Sequence, residues 1–439
     1  MARILCAWEF GSGLGHLTRL LPIARKLHDA GHEIVLAVPN PPAAKPVLDK
    51  NFPEREGPFR LKVIKGTLWQ IPTEKQDPNL RRKPTHVLAD VLTLFHYQDA
   101  VLLERQTRVW QQICDEVDPD LIVADFAPTL RLAYWGRAPF AMMGNGYTTP
   151  PRGRLLPPIK PWQTGLLPFS RRHEASVLMA MNHVRDVLKG PAVDYVGDML
   201  NGDRSFVCTI REFDPYRPHR TEPTLMPFNV PDVSRHPTIE ERGGDKAPIF
   251  IYLPANHPLL RGVLNMVSKS GVPAHVYVSN VPPEQIAGLC GRNVSIHRNP
   301  INFANDLWKF RMIIHHAGLA TAYAAIKAGT PQLMLPVNLE HSITSRGAAH
   351  LAGASVMGAA DSPKIEEVEQ TYTKMLTDRT LWRRAHEAAL KVAERPVEDS
   401  VGMVVQGCLE MLEQGLEKAR REAEKDIGED AEDVDRIMA

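Results

Sequence analysis

The sequence predicts an α/β protein made of two doubly wound halves, each a parallel sheet flanked by helices. Its first 38 residues run as an apolar strand, a glycine-rich turn, a helix and a second strand, which is a βαβ unit. Residues 214–248 interrupt this pattern with many prolines and no periodicity, as a linker between domains does. The alternation of strands and helices restarts at Ile249, so a second parallel sheet is expected after the linker.

Apolar runs and helical spacing assign the elements of each half. The chain from about residue 365 onward is predicted to be helical, with a break at Pro396. The earlier predicted helices cover about 17–27, 86–116, 171–190, a stretch ending at 270, and 319–328. The predicted strands are Ile4–Phe10, Glu33–Val38, Leu61–Lys65, Leu121–Ala124, Phe140–Met143, Ser205–Thr209, Ile249–Leu253, Ala274–Val278, Val294–His297, Met312–His315 and Gln332–Pro336.

Composition and charge exclude several classes of protein. The 439 residues carry 52 Lys+Arg against 51 Asp+Glu, so no broad positive field is available to bind a nucleic-acid backbone. The 5 cysteines lie far apart without a CxxC pair, which indicates thiols in a reducing cytosol rather than a zinc site or disulfide framework. No apolar stretch reaches the roughly 20 residues that span a bilayer, and no signal pattern is seen, so we expect a cytoplasmic protein.

A glycine-rich turn over residues 11–15 separates the first strand from the first helix and leads into His16. Glycines let backbone amides approach a ligand, and the helix start carries a partial positive charge. The turn lacks the third glycine of a dinucleotide fingerprint, which disfavours NAD binding. An imidazole at the mouth of a cleft suits general-base catalysis near neutral pH; helix capping is the alternative role of His16.

Asp125 directly follows the apolar strand 121–124. A carboxylate at the carboxyl end of a parallel strand lies at the rim of the cleft, where ligands of such sheets bind. There it can accept a proton from the far nitrogen of His16 and hold the required tautomer. Its alternative role is to cap the helix that follows.

The segment from Ile313 to Thr321 predicts a second site, because a strand, a small-residue turn and a helix follow one another. Backbone amides, the helix dipole and His316 can converge there on a diphosphate, while His315 is assigned to strand packing. After the next strand, Glu340 and His341 form a carboxylate–imidazole pair that suits vicinal hydroxyls, with a solvated helix start as the alternative.

The order of these motifs resembles the GT-B glycosyltransferases, which include bacterial antibiotic and macrolide glycosyltransferases and the UDP-glycosyltransferases. GLGHLTRLLPIARKLHDAGHEIVLAVP resembles their N-terminal unit, DPDLIVADFAP their acidic strand end, and HHAGLATAYAAIKAGTPQLMLPVNLEH their donor-binding signature. The resemblance implies two Rossmann-like domains facing a central cleft. The first is an acceptor-binding domain over 1–213, which a C-terminal helix over about 400–426 completes, and the second is a nucleotide-sugar-binding domain over 249–395. The linker 214–248 separates the two domains, and a polar tail covers 427–439.

Carried over residue by residue, the resemblance implies that His16 deprotonates the acceptor hydroxyl and that Asp125 supports His16. It also implies a donor site in which His316 and its neighbours hold the diphosphate and Glu340 with His341 faces the sugar. The residues expected to bind the donor are Gly15, Asn256, His316, Ala317, Gly318, Thr321, Glu340 and His341.

Several positions depart from the family pattern. Glu340-His341 stands where the family usually has Asp-Gln, so the usual glucose preference is not implied. Ala324 replaces the Glu that many UDP-using members direct at the ribose, and Ala320 replaces a glycine common in bacterial members. The loop 254–257 is not of the usual Gly-Ser type, although Asn256 still offers hydrogen bonds to phosphate. UDP is therefore the default nucleotide, and dTDP is left open.

The implied activity is inverting, metal-independent transfer of a hexose from a nucleotide-diphosphate sugar to a hydroxyl of a small-molecule acceptor. No cofactor or metal is expected, because the helix beginning near Leu319 stabilises the leaving diphosphate. Two alternatives are an epimerase or hydrolase of sugar nucleotides on the same fold, and a non-catalytic nucleotide-sugar-binding protein.

The expected partners are thus the donor and a small acceptor, with neither nucleic acid nor an integral membrane segment, while a homodimer is left open. The acceptor is expected to be partly apolar or aromatic, because aromatic residues recur in segments 66–98 and 144–170. Ordinary loop packing is the alternative for these aromatic residues, which are Trp69, Phe95, Tyr97, Tyr147 and Trp162.

Overall fold

Within its described residues the chain forms two six-stranded sheets, in which neighbouring strands run parallel. The computed structural model describes residues 1–10, 15–52, 61–72, 84–160, 167–228, 230, 233, 235–279, 281–353, 355–356, 364–396 and 398–415. The first sheet contains β1 (Arg3–Trp8), β2 (Glu33–Val38), β3 (Leu61–Lys65), β4 (Leu121–Asp125), β5 (Phe140–Gly144) and β6 (Arg204–Val207). The second contains β7 (Ile249–Pro254), β8 (Ala274–Ser279), β9 (Val294–Ile296), β10 (Met312–His315), β11 (Gln332–Met334) and β12 (Ser355–Val356).

The two sheets share one strand order. The first runs β3-β2-β1-β4-β5-β6, and the second runs β12-β11-β10-β7-β8-β9, which is the same order read from the other edge. In such sheets the connections turn in opposite directions on either side of one strand pair, and a crevice opens at its carboxyl ends. These switch points lie between β1 and β4 in the first half and between β7 and β10 in the second.

Helices connect the strands of both sheets. Those of the first half are α1 (Gly15–Asp29), α2 (Pro41–Asn51), α3 (Leu88–Leu94), α4 (Ala100–Val117), α5 (Pro128–Ala133), α6 (Pro168–Val187) and α7 (Val196–Leu200). Those of the second half are α8 (Leu260–Ser270), α9 (Pro283–Ile286), α10 (Phe303–Asp306), α11 (Leu319–Lys327), α12 (Leu339–Ala352), α13 (Ile365–Thr377) and α14 (Arg379–Ala393). A further helical run covers residues 400–415.

Both faces of the first sheet are buried at its four inner strands, and for this reason these strands appear in the sequence as continuous apolar runs. Ile4 and Cys6 of β1 pack on one face with residues of α1, whereas Leu5 and Ala7 pack on the other with residues of α4. The helical run 400–415 places its buried apolar side chains in the core on the α1 side. The chain therefore returns to the first half after completing the second.

The structure differs from the predicted elements at several strand ends and in three further places. Residues 41–85 were expected to be loops around one strand, because they are rich in proline and charge, but α2 forms there with two of its prolines at the helix start. The helix predicted over 86–116 is in fact α3 and α4, because His96 adopts a left-handed backbone with φ 62° and Asp99 caps the amide of Leu102 at the start of α4. The two-residue strand β12 at the edge of the second sheet was not predicted, since so short a segment has no apolar period. The glycine-rich turn 11–14, Trp162 and the tail 427–439 lie outside the described residues.

The described residues contain neither a membrane-spanning helix nor a cluster of metal ligands. None of their helices is both long and apolar enough to cross a membrane. In the same part of the chain, no group of three or more His, Cys, Asp or Glu residues is arranged to hold a metal ion.

Candidate active site

His16 and Asp125 meet at the switch point of the first sheet. Asp125 ends β4 and lies in register with Trp8 at the end of β1, while His16 lies in the first turn of α1. Nδ1 of His16 is 3.1 Å from Oδ2 of Asp125, whose side chain is fully buried. The helix-capping alternative does not hold for Asp125, because α5 starts after Ala127 without a side-chain cap.

Arg19 completes this group, and sequence reasoning missed it. Its Nε lies 2.7 Å from Oδ2 of Asp125, and its Nη2 lies 3.1 Å from Oδ1 and 3.2 Å from Nδ1 of His16. The available signal was its position three residues after His16, which places both side chains on one face of α1. Burial would raise the pKa of the Asp125 carboxyl, but Arg19 and His16 more than offset burial and lower this pKa.

Glu9 is a second buried carboxyl group that sequence reasoning missed. It directly follows β1 and accepts hydrogen bonds from the Thr129 amide at 2.8 Å and the Tyr97 hydroxyl at 3.2 Å. Burial raises the pKa of Glu9 to about 7, against the lowering effect of these bonds. Since its oxygens accept hydrogen bonds from α5 and Tyr97, Glu9 has a structural role in the first half rather than facing a ligand.

Aromatic side chains cluster near Glu9 and Tyr97. Phe10 lies 4.9 Å from Phe126 and 5.5 Å from Phe95, measured between ring centroids, and Trp69 stacks on Tyr97 at 4.0 Å. The structure thus brings together three of the aromatic residues predicted to line the acceptor pocket, and Tyr147 packs against the same cluster. Tyr97 is fully buried and belongs to the core, whereas Phe10 and Phe95 are half-buried.

Two histidines follow one another at the switch point of the second sheet, and they differ in role. His315 is fully buried; its Nε2 lies 2.9 Å from Oε1 of Gln332, and its Nδ1 accepts the Ala317 amide at 3.1 Å. It therefore packs the strand, as predicted. His316 is partly buried, and its ring lies 4.9 Å from the ring of His341.

The pair of His316 and His341 is electrically neutral near pH 7. Burial, reinforced by the neighbouring histidines, lowers the pKa of each imidazole to about 4. Nδ1 of each ring is buried and has no hydrogen-bond partner in the described residues. Buried ring nitrogens without partners carry a free-energy cost that a hydrogen-bonding ligand would remove.

The start of α11 lies directly after these histidines. Ala317 is buried with φ 68°, a left-handed conformation, and Gly318 begins the helix without a side-chain cap. Thr321 lies in the first turn and is 8% exposed. By contrast, the Asn338 side chain caps α12 by accepting the His341 amide at 2.9 Å. Among the described residues no side chain caps the first amides of α11, and such helix starts bind anions.

Glu340 reaches across the cleft to the first half. Nδ2 of Asn145, just after β5, donates to Oε1 of Glu340 at 2.5 Å, and the Thr148 amide holds Oδ1 of Asn145 at 3.0 Å. Glu340 is therefore not a solvated helix start. It also contributes to the electrostatic stabilisation of the Arg19 guanidinium.

The remaining predicted residues lie around these groups. Gly15 begins α1 beside His16, and Asn256 is exposed in the loop after β7 at the second switch point. Ala324 lies on α11, where its side chain is fully buried in the core of the second half. The residues named from the sequence thus form two groups, one at each switch point, and Glu340 connects them.

Comparison with known proteins identifies the fold. Neither a protein-family model nor a curated protein matches the chain. Solved structures do match: the glycosyltransferase VinC in complex with dTDP is 16% identical with a TM-score of 0.59 and covers 94% of this chain and 100% of its own. The calicheamicin glycosyltransferase CalG4 is 17% identical, with a TM-score of 0.59 and coverage of 95% and 98%.

A third match is the spinosyn rhamnosyltransferase SpnG complexed with spinosyn aglycone, at 16% identity and a TM-score of 0.57. It covers 92% of this chain and 99% of its own. At such low identities the likeness establishes architecture alone, and it extends over both sheets and the cleft between them. The chain therefore has the GT-B fold predicted from its sequence, in common with these glycosyltransferases.

Proposed function

We propose that the protein transfers a hexose from a nucleotide-diphosphate sugar to a hydroxyl group of a small-molecule acceptor, with inversion at the anomeric carbon. The observation that carries the proposal is the hydrogen-bonded pair of His16 and Asp125 at one switch point, opposite the neutral histidines and uncapped helix start at the other. A protein that only bound a nucleotide sugar would have no need of the first group.

His16 acts as the general base. With a proton on Nδ1 directed at Asp125, the Nε2 lone pair takes the acceptor proton as the acceptor oxygen attacks the anomeric carbon. A bond forms between that oxygen and carbon, and the bond from carbon to the diphosphate oxygen breaks. The nucleoside diphosphate leaves with the electron pair, and the first amides of α11 with His316 and His341 receive its charge.

We infer that the reaction needs no divalent metal. The support is the chemistry of the second switch point, where amides, Thr321 and two imidazoles offer hydrogen bonds to an anion. Activity is therefore expected to persist at full rate in EDTA, and complete loss that Mg²⁺ or Mn²⁺ restores would contradict this part of the proposal.

The nucleotide we favour is dTDP. The family position that contacts ribose hydroxyls in many UDP-using members is occupied here by Ala324, which is buried and carries no polar group. A 2′-deoxyribose has one fewer hydroxyl to satisfy. The solved structures of VinC and SpnG with thymidine diphosphate agree with this choice.

The test begins with nucleotide binding. The full chain is screened against UDP, dTDP and their hexose conjugates by thermal shift, because a ligand of the folded state raises the melting temperature in proportion to its affinity and concentration. The conjugate giving the largest shift is then incubated with a panel of hydroxylated aromatic and macrocyclic acceptors, and the glycoside is detected by mass spectrometry.

His16→Ala is the decisive variant. We expect the transfer rate to fall by about 10²–10⁴-fold, the usual contribution of a general base, with little change in nucleotide affinity. His350→Ala, on the exposed last turn of α12, is the control and should retain full activity. A His16→Ala enzyme with most of its transfer rate would overturn the base assignment, and donor consumption that needs no acceptor would indicate a hydrolase or epimerase instead.

A further inference from the structure

We propose that Arg19 is a positioning residue that orients the Asp125 carboxylate toward His16 and opposes a positive charge on the His16 ring. This inference rests on the proposed function, since it concerns the residue assigned there as the base. Nothing in the sequence motifs pointed to Arg19; the contacts made in the folded chain do.

Arg19 and Asp125 form a bidentate pair. Nε and Nη2 of Arg19 hold the two oxygens of Asp125 at 2.7 and 3.1 Å, respectively. The Arg19 side chain is 12% exposed and that of Asp125 is 0% exposed. Two parallel bonds of this kind fix the plane of the carboxylate, which a single bond from Lys would not do. Oδ2 is thereby directed at Nδ1 of His16.

Asp125 at the end of β4, Arg19 on α1 and the Trp8 ring contact His16, the ring by stacking on the imidazole at 6.4 Å. Two further titratable groups act on Arg19, namely Glu340 on α12 and Cys208 just after β6. Burial raises the pKa of the Cys208 thiol to about 12, so this group is uncharged near pH 7. Arg19 is thus the cation of the set, facing two carboxylates and the ring of His16.

The charge of Arg19 changes what Asp125 does to His16. A lone buried carboxylate beside an imidazole stabilises the imidazolium and so favours uptake of a second proton from solvent. Arg19 cancels much of the carboxylate charge, and its Nη2 lies 3.2 Å from Nδ1 of the ring, where it disfavours a second positive charge. Asp125 therefore still orients the His16 ring, while Arg19 weakens the stabilisation that the carboxylate gives to the imidazolium.

The experiment measures the protonation of His16 directly. The full chain is labelled with ¹³C at the histidine Cε1 position, the His16 resonance is assigned by its loss in His16→Ala, and its pH midpoint is followed by NMR. In Arg19→Gln we expect this midpoint to rise by about one pH unit or more. Arg19→Lys keeps the charge and should move it less, and Arg25→Gln, which breaks a partly exposed pair with Asp29 on the same helix, should leave it unchanged.

The same comparison is repeated in the Asp125→Asn variant, in case Arg19→Gln alone does not fold. With Asp125→Asn present, the carboxylate charge is gone, and Arg19→Gln should again raise the midpoint relative to Asp125→Asn alone. An unchanged midpoint in both backgrounds would overturn the inference and leave Arg19 a structural residue. The NMR titration needs no substrate, so it tests Arg19 even if no donor or acceptor is turned over. Where turnover is measurable, the acid limb of the rate profile should shift with the midpoint.

Discussion

The two switch points of this chain occupy equivalent places in equivalent sheets, yet they differ in charge. The first is ionic: Asp125 is buried between Arg19 and His16. The second is neutral: His316 and His341 lie beside an uncapped helix start, with their pKa lowered to about 4. In the function proposed above, the same architecture serves proton transfer at one end and anion binding at the other, and local side chains decide which.

The largest expected effect comes from the ionic site. Asp125→Asn removes the charge that orients His16 and leaves the Arg19 cation uncompensated beside it, so the imidazole loses both its orientation and its stabilising anion. We expect the transfer rate to fall by about 10²–10⁴-fold, with the nucleotide Kd unchanged. Steady-state rates and calorimetric Kd values for wild type and variant check this. A matched loss of nucleotide affinity would show that the two sites are not separate.

The next largest effect concerns the neutral site. His316→Ala removes a ring that faces the start of α11, and the nucleoside diphosphate should bind about tenfold more weakly, equivalent to the loss of about one to two hydrogen bonds. Isothermal calorimetry with dTDP measures this. The control is His16→Ala, which should keep the wild-type Kd. If the two variants lose affinity equally, the assignment of the donor to the second half is wrong.

The two sites should also respond to acid at different pH. Unfolded imidazoles take up protons below about pH 6.5, whereas His316 and His341 in the folded chain do so only near pH 4. The free energy of unfolding therefore falls as the pH is lowered through this window, by up to about 1.4 kcal/mol per pH unit for each histidine. Asp125, with a lowered pKa, adds stability that is lost only below about pH 3.8.

Melting temperatures between pH 7.5 and 5 check this expectation. His341→Gln should flatten the decline relative to wild type, while His350→Gln on the same helix should not, because His350 is exposed. Glu9, whose pKa is raised to about 7, changes stability in the opposite direction over the same range. The difference between the two variants is therefore the test, and equal slopes would contradict the burial of His341 as a neutral group.

The smallest effect concerns the backbone. Each switch point has a left-handed residue directly after its polar group, Phe126 with φ 50° and Ala317 with φ 68°. Ala317→Gly relieves this conformation and should raise the free energy of unfolding by about 0.5–1 kcal/mol. Phe126→Gly relieves it too but removes a nearly buried ring from the aromatic cluster, so it should destabilise the protein. Chemical denaturation of both variants distinguishes the two outcomes.

The sequence predicted those parts of the molecule that local pattern determines. The bounds of β2 and β10 match their apolar runs, because strands buried on both faces leave little doubt about their extent. The bounds of β3 match as well, although it is a half-exposed edge strand. His16, Asp125 and His316 were found because they end or follow such strands. Arg19 and the bond from Asn145 to Glu340 were not, since both depend on how distant elements meet. The break between α3 and α4 was missed because apolar residues continue through it.

The return of the chain to the first half has a mechanical consequence. Two segments join the halves, the linker and the stretch before the helical run 400–415, and the Met226 amide ties one to the other by donating to Oε2 of Glu398 at 2.9 Å. Met226 and Glu398 both lie in the connecting segments, whereas Asn145 and Glu340 belong to the two halves themselves. A change in the angle between the halves can therefore break the bond between Asn145 and Glu340 without breaking the bond at Glu398.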